Sequence, residues 1–225
     1  MATIPQTFPQ EPTSATINFD FQDIQDGTGT AIVYGSTTAD NGTTSYNLSK
    51  NINYSNNVST FVAEGAVGTP IDIDFDIILN TPRDLFGMVR ANVGWMAGHS
   101  TTANKGSTTY VKMYVRKWNG STETEIVSTT SSDTLVVGSL STDSKIVQIQ
   151  KEVTTPVHFS IGDTLRITIQ VIVSAVQNDW TPVALFHDPK ARAFSASRDY
   201  GTTNAGSATI DTTQLVVNIP FRVND

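Results

Sequence analysis

Apolar and polar residues alternate along most of the chain, with the period of two that is typical of half-buried β-strands. In residues 110–116, Val111, Met113 and Val115 occupy every second position between polar or aromatic neighbours. The same spacing recurs in residues 17–21, 71–77, 147–153, 165–173 and 215–223. The pattern therefore predicts a chain built from strands, with 165–173 as the best candidate for a central strand.

Turn and breaker residues divide these segments. Asn41-Gly42 and Asn119-Gly120 are dipeptides that favour tight hairpin turns. Three glycines interrupt residues 85–98, which predicts bulges or a close backbone approach there. Pro220 cannot donate a ladder hydrogen bond, so its position in the last strand predicts an edge or a bulge.

About ten strands separated by polar turns indicate an all-β, two-layer antiparallel β-sandwich, with a jelly roll as the leading variant. We expect residues 15–225 to form a single sandwich domain. Residues 1–14 contain three prolines and no periodic apolar pattern, which predicts an extended N-terminal arm. Phe8 is its candidate contact residue.

Composition narrows the classes of partner. The chain has 38% hydrophobic residues but only 16% charged ones, and its net charge is −7 with scattered basic residues, which argues against a nucleic-acid partner. It has no cysteine, so neither disulfides nor thiolate chemistry is available. Neither a secretory leader pattern nor a long apolar run is present, so we expect no membrane partner and assembly in a cytoplasm.

The segment 70–80 places Asp72, Asp74 and Asp76 on one face of a strand and apolar residues on the other. The carboxylates are either a solvated strand face, a row neutralised by Lys112 and Arg116, or a weak hard-cation site. In the last case Asp20 is a further oxygen ligand. Which alternative applies depends on the neighbouring strand.

Residues 180–200 concentrate aromatic and basic side chains, which are enriched in protein interfaces. The interface candidates are Trp180, Phe186, His187, Arg192, Arg198 and Tyr200, together with Phe8 of the arm. The alternative is that Phe186 and Phe194 belong to the core while residues 187–190 form a turn.

Candidate catalytic groups are sparse. The three histidines show no metal-ligand spacing, and no GxSxG elbow marks an activated serine. We therefore expect a protein that is not an enzyme and that uses no cofactor.

The segments VHFSIGDTLRITIQVIV, FHDPKARAF and QLVVNIPFRV resemble jelly-roll virion structural proteins of tailed phages, in particular capsid decoration (cement) proteins. The resemblance implies a bacteriophage virion component, assembled in the host cytoplasm, that binds the outside of a capsid lattice. Its implied partners are further copies of itself, often in a homotrimer, and the major capsid protein. It implies no catalytic residues.

A second class of function stays open, because IGDTLRI also resembles a strand entry of carbohydrate-binding modules. A carbohydrate-binding or receptor-binding module of a tail or fibre would present Trp95, Trp118 or Trp180 as a sugar platform. A solvent-exposed row of two or three of these tryptophans or of exposed tyrosines would favour this alternative, and burial of all three tryptophans would count heavily against it.

Overall fold

The computed structural model describes residues 28–40, 43–51, 59–65, 67–98, 107–138, 142–176, 181–187, 194–199, 205–210 and 215–222. In chain order the strands are β1 (Thr28–Asp40), β2 (Thr43–Ser49), β3 (Ser59–Gly65), β4 (Ile71–Ile78), β5 (Arg83–Gly98), β6 (Ser107–Trp118), β7 (Glu123–Thr130), β8 (Leu135–Val137), β9 (Thr142–Phe159), β10 (Thr164–Val176), β11 (Thr181–Phe186), β12 (Phe194–Asp199), β13 (Ala205–Ile210) and β14 (Val216–Arg222). The described part of the chain contains no helix, so none that would span a membrane. The all-β prediction is confirmed.

Twelve strands form one hydrogen-bonded sheet in the order β3-β11-β5-β14-β1-β2-β4-β10-β6-β7, with β8 on β6 and β9 on β5. The remaining two, β12 and β13, pair with each other. We expected a purely antiparallel arrangement, but the sheet is mixed. Strands β2 and β4 run parallel where Asn47 pairs with Asp76. Strand β10 lies between β4 and β6, in agreement with its prediction as a central strand.

The large sheet folds over on itself into two facing layers. Five strands separate β5 from β6 in the hydrogen-bonded order, yet the Trp95 indole N–H of β5 donates to Thr109 Oγ1 of β6 at 3.0 Å. Phe75 of β4 likewise lies 6.0 Å, between ring centroids, from His187 at the end of β11. The inward residues of both layers form one apolar core, the arrangement of a β-sandwich.

Strand β1 carries the chain from one layer to the other. Its first half, up to Tyr34, pairs with β14, and its second half pairs with β2. The crossing falls at Gly35, whose N–H donates to the Leu215 carbonyl at 3.0 Å. A Cβ at this position would lie 2.7 Å from Leu215 Cδ2 and 3.1 Å from Phe75 Cε1. Only glycine lets the backbone approach both side chains this closely.

Some of the predicted turns and irregularities are present. Strands β1 and β2 pair up to Asp40 and Thr43, and Asn41 and Gly42 lie outside the described residues. Gly94 and Gly98 continue the pairing of β5 with β9 without the predicted bulge. Gly120 has φ +92° in the β6–β7 turn. Gly87 (φ +108°) and Pro220 meet at one site, where the register of β5 shifts against both β9 and β14. Pro220 therefore lies at a bulge.

A tight turn joins β9 to β10 and is tied to β6. The Asp163 N–H donates to the Ser160 carbonyl at 3.1 Å, and the Asp163 carboxylate accepts the Ser160 N–H at 2.6 Å. Lys117 Nζ of β6 lies 2.8 Å from the same carboxylate oxygen. The hydrogen bonds from Lys117 and Ser160 hold the pKa of Asp163 below its usual value, and desolvation opposes them more weakly.

Substitution of Gly35 by Ala is expected to destabilise the fold by about 1–3 kcal/mol, because the added methyl overlaps Leu215. In a Leu215→Ala background, itself less stable by about 2–5 kcal/mol, the same change should cost less because the methyl enters vacated space. Urea unfolding of the wild type, the two single variants and the double variant measures the cost of Gly35→Ala in each background. Equal costs in the two backgrounds would contradict the steric account.

The turn also predicts a pH dependence of stability. Because the pKa of Asp163 is lower in the folded chain, the unfolded chain binds this proton more readily. The contribution of Asp163 is therefore complete above about pH 5 and is lost as the pH falls below about 4. Asp163→Asn should flatten the decline in urea midpoint between about pH 5 and pH 2. An unchanged decline would show that Asp163 is not its source.

Candidate functional site

The three carboxylates of β4 face outward and are paired one for one with polar residues of β10. The cross-strand pairs are Asp72 with Gln170, Asp74 with Thr168, and Asp76 with Arg166. Gln170 Nε2 donates to Asp72 at 2.6 Å and the Thr168 hydroxyl donates to Asp74 at 2.6 Å. We call this set of three pairs the charged ladder. Directly opposed side chains on neighbouring strands are close enough for such bonds.

Arg166 is the main cation of the ladder. Its Nε and Nη2 donate to the two oxygens of Asp76, each at 2.8 Å, in a bidentate pair that fixes the carboxylate plane. Its Nη1 lies 3.4 Å from Asp74 Oδ2 and also donates to Glu123. The hydrogen bond to Asp76 raises the pKa of Arg166 above its ordinary value, although burial acts in the opposite direction. The guanidinium thus holds carboxylates from two strands.

A second arginine comes from β6, one strand further away. Arg116 Nη1 donates to the Thr168 hydroxyl at 3.1 Å and lies 3.2 Å from Glu123 Oε1 and 3.9 Å from Asp74. Its guanidinium also lies over the Tyr114 ring, 4.4 Å from the centroid. Thr168, which donates to Asp74 and accepts from Arg116, links the two charges. The network therefore spans β4, β10, β6 and the first residue of β7.

An open groove lies beside the ladder, on the outer face of strands β2, β4, β10 and β6. Its volume is about 590 Å³. Its lining residues are Ser45, Tyr46, Asn47, Leu48, Asp74, Asp76, Ile77, Ile78, Trp118, Thr164 and Arg166. Trp118, the last residue of β6, is half-buried, and the Arg166 guanidinium lies 5.9 Å from its ring centroid. The groove combines carboxylate, amide, hydroxyl and indole groups.

For the Asp row the structure shows neutralisation within the sheet. The predicted ion pairing of Arg116 with the Asp row is present, at Asp74. Strand β10 lies between β4 and β6, however, and supplies the closer cation, Arg166. Lys112 instead places its Nζ 4.3 Å from the Tyr114 ring centroid. Across the residues the structure describes, no group of three His, Asp or Glu side chains is placed to hold a metal ion. Asp20 lies outside the described residues.

Two of the interface candidates are core residues in this chain. Phe186 and His187 are fully buried, because β11 lies between β3 and β5 in the large sheet. Neither side chain is exposed at the surface for a partner to contact. The alternative prediction, that Phe186 is a core residue, is the one that fits its burial. Arg198 lies in β12, opposite Gly206 of β13. The other candidates, Phe8, Trp180, Arg192 and Tyr200, lie outside the described residues.

Arg166 is the ladder residue that sequence reasoning missed. Leu165, Ile167 and Ile169 were correctly predicted to face the core, and they are fully buried. The same alternation turns residues 166, 168 and 170 outward, so a three-residue polar row was already visible opposite the three aspartates. What the sequence lacked was the identity of the neighbouring strand.

Comparison with known proteins leaves the family open, since neither protein-family models nor curated proteins match the chain. Among solved structures, a CocE/NonD family hydrolase from Staphylococcus aureus has a TM-score of 0.42 and 9% identity over 92% of this chain and 36% of the hydrolase chain. The Gx strain of infectious bursal disease virus gives a TM-score of 0.34 and 11% identity, covering 100% of this chain and 42% of the viral chain. The T13 particle of that virus gives 0.35 and 10%, with coverages of 98% and 59%. This chain thus spans less than two thirds of each matched chain, and TM-scores this low support no argument about function.

Replacement of Arg166 by Met is expected to destabilise the fold by about 1–2 kcal/mol, because Asp74, Asp76 and Glu123 then lose their shared cation. The loss should shrink at high salt, where the remaining like charges are screened. Lys112→Met is the matched control on the same sheet face and should cost less than about 0.5 kcal/mol. Urea unfolding at low and high salt measures both, and equal costs for the two variants would contradict the ladder.

Proposed function

We propose that this chain is a non-catalytic structural protein of a virion, a capsid decoration protein that assembles as a homo-oligomer through an apolar rim at one end of the sandwich. The rim consists of Ile78 at the end of β4 and Ile161 in the β9–β10 turn. Their exposed fractions are 71% and 70%, and this exposure is the observation that carries the proposal. Contiguous exposed apolar surface is a mark of interaction sites, whereas single exposed apolar side chains are common on soluble proteins.

Backbone hydrogen bonds hold the two halves of the rim together. The Gly162 N–H donates to the Leu79 carbonyl, and the Leu79 N–H donates to the Asp163 carbonyl, each at 2.9 Å. Gly162 has φ +90°, which a tight turn of this shape requires. The turn is fastened further to β6 through Lys117 and Asp163. The isoleucines are therefore presented on a fixed support, which lowers the entropic cost of binding.

An apolar slot opens next to the rim. It has a volume of about 210 Å³ and lies between β1, β4 and β14, where the two layers separate. Its lining residues are Ala31, Val33, Lys50, Ile77, Ile78, Leu79, Asn80, Arg83, Ile219 and Phe221. Rim and slot together offer a projecting apolar edge and a recess beside it, which is a shape that a second copy of the same surface can fill.

The energetics favour burial of this edge. Full burial of one isoleucine side chain is worth about 1.5–3 kcal/mol. Each copy contributes the same rim, so a closed ring buries it on every subunit. Two further parts of the proposal rest on the sequence resemblance to decoration proteins. They are that the oligomer is a trimer and that it binds to a capsid lattice.

Substitution of Ile161 by Asp should shift the protein from oligomer to monomer, because a charge at the rim would be buried without a partner. Val136→Asp on β8 is the matched control, since Val136 is 67% exposed and lies away from the rim. Size-exclusion chromatography with light scattering measures the oligomer. A monomeric wild-type protein, or an unchanged oligomer in Ile161→Asp, would contradict assembly through this rim.

Attachment to the virion needs a separate measurement. Co-sedimentation with phage capsids that lack decoration proteins should retain wild-type protein and Val136→Asp, and should retain less Ile161→Asp because multivalent attachment is lost. If a wild-type oligomer fails to sediment with any capsid tested, the assembly surface stands and the capsid role is rejected.

A further inference from the structure

The floor of the open groove presents polar side chains from three neighbouring strands. Ser45 and Asn47 come from β2, Asp74 and Asp76 from β4, and Arg166 from β10. Asn47 and Asp76 are directly opposite each other. Side chains on one sheet face stand a few ångströms apart, so their hydrogen-bonding groups form a flat array. Such an array suits a ligand that carries many hydroxyl groups.

The charges in the floor are already paired within the protein. Both Asp76 oxygens bind Arg166, and Arg116 and Arg166 both contact Glu123. A carboxylate offers about four lone-pair sites, so these oxygens can still accept hydrogen bonds from a ligand. Since the local charges nearly balance, with a small acidic excess, the floor favours a neutral ligand over an anion.

Trp118 adds an apolar wall at the β6 side of the groove. The residue is half-buried, and the Arg166 guanidinium lies 5.9 Å from its ring centroid. Tyr46 contributes less as a platform, because its ring packs edge-on against Phe75 of the core at 5.6 Å. The indole ring can pack against the C–H face of a pyranose, while the neighbouring carboxylates accept hydrogen bonds from its hydroxyl groups.

We propose that this groove is a binding site for a neutral oligosaccharide. The volume of about 590 Å³ lies within the range of small-molecule sites and admits a short chain of sugars. Trp118 supplies the stacking surface, and Asp74 and Asp76 accept hydrogen bonds from the sugar hydroxyls. Asn47 and Ser45 complete the contacts at the β2 side. The groove adjoins the assembly rim, because Ile78 belongs to both, and a virion component with this site would attach to glycans on a host surface.

The test is an NMR titration of the tryptophan indole N–H signals with maltotriose, cellotriose and N-acetylchitotriose, each to about 10 mM. At least one of these sugars should shift the Trp118 signal. Trp95 serves as an internal control, because its buried N–H donates to Thr109 and its signal should stay in place. No shift of Trp118 with any of the three sugars overturns the proposal.

Variants and a second ligand separate the remaining outcomes. By calorimetry, Trp118→Ala should weaken binding at least about tenfold, and Trp118→Phe should restore part of it. Tyr110→Ala, on the same face of β6 but outside the groove, should bind as wild type. Unchanged affinity in Trp118→Ala, or an equal Trp118 shift with calcium chloride alone, overturns the proposal. Ile161→Asp should still bind sugar, which distinguishes this site from assembly.

Discussion

The register of β4 against β10 is the constraint on which both the core and the polar face depend. In the observed register, Ile73 and Phe75 of β4 and Ile167 and Ile169 of β10 all enter the core. The same register sets the three aspartates against arginine, threonine and glutamine on the outer face. A slip of one residue would turn the carboxylates inward and expose the isoleucines. Hydrophobic burial and charge pairing thus select the same alignment.

The end of β4 brings two kinds of surface together. Ile77 and Ile78 line the apolar slot on one side and the polar groove on the other. Strands β2 and β4 are paired at a single position, Asn47 with Asp76, directly before Ile77 and Ile78. A surface for assembly and a surface for ligand binding therefore lie next to each other and share Ile78.

Predictions from the sequence were most accurate where a residue's role depends on its immediate neighbours in the chain. The inward face of β10 and the bulge at Pro220 each follow from two or three neighbouring residues. They were less accurate for residues 180–200, where an aromatic and basic composition suggested a surface. Phe186 and His187 are buried because β11 pairs with β5, more than eighty positions earlier in the chain. Composition alone carries no information on such distant pairing.

The sequence by itself determined the all-β class, the faces of the strands and the outward direction of Asp72, Asp74 and Asp76, since side-chain alternation is a property of the extended backbone. Only the tertiary structure decided which strand lies beside them. The order of strands depends on contacts between residues far apart in the chain and on the crossing at Gly35, where the backbone packs against Leu215 and Phe75. That order placed Arg166 on Asp76 and Trp118 at the edge of the groove, and it turned three like charges in a row into a paired network.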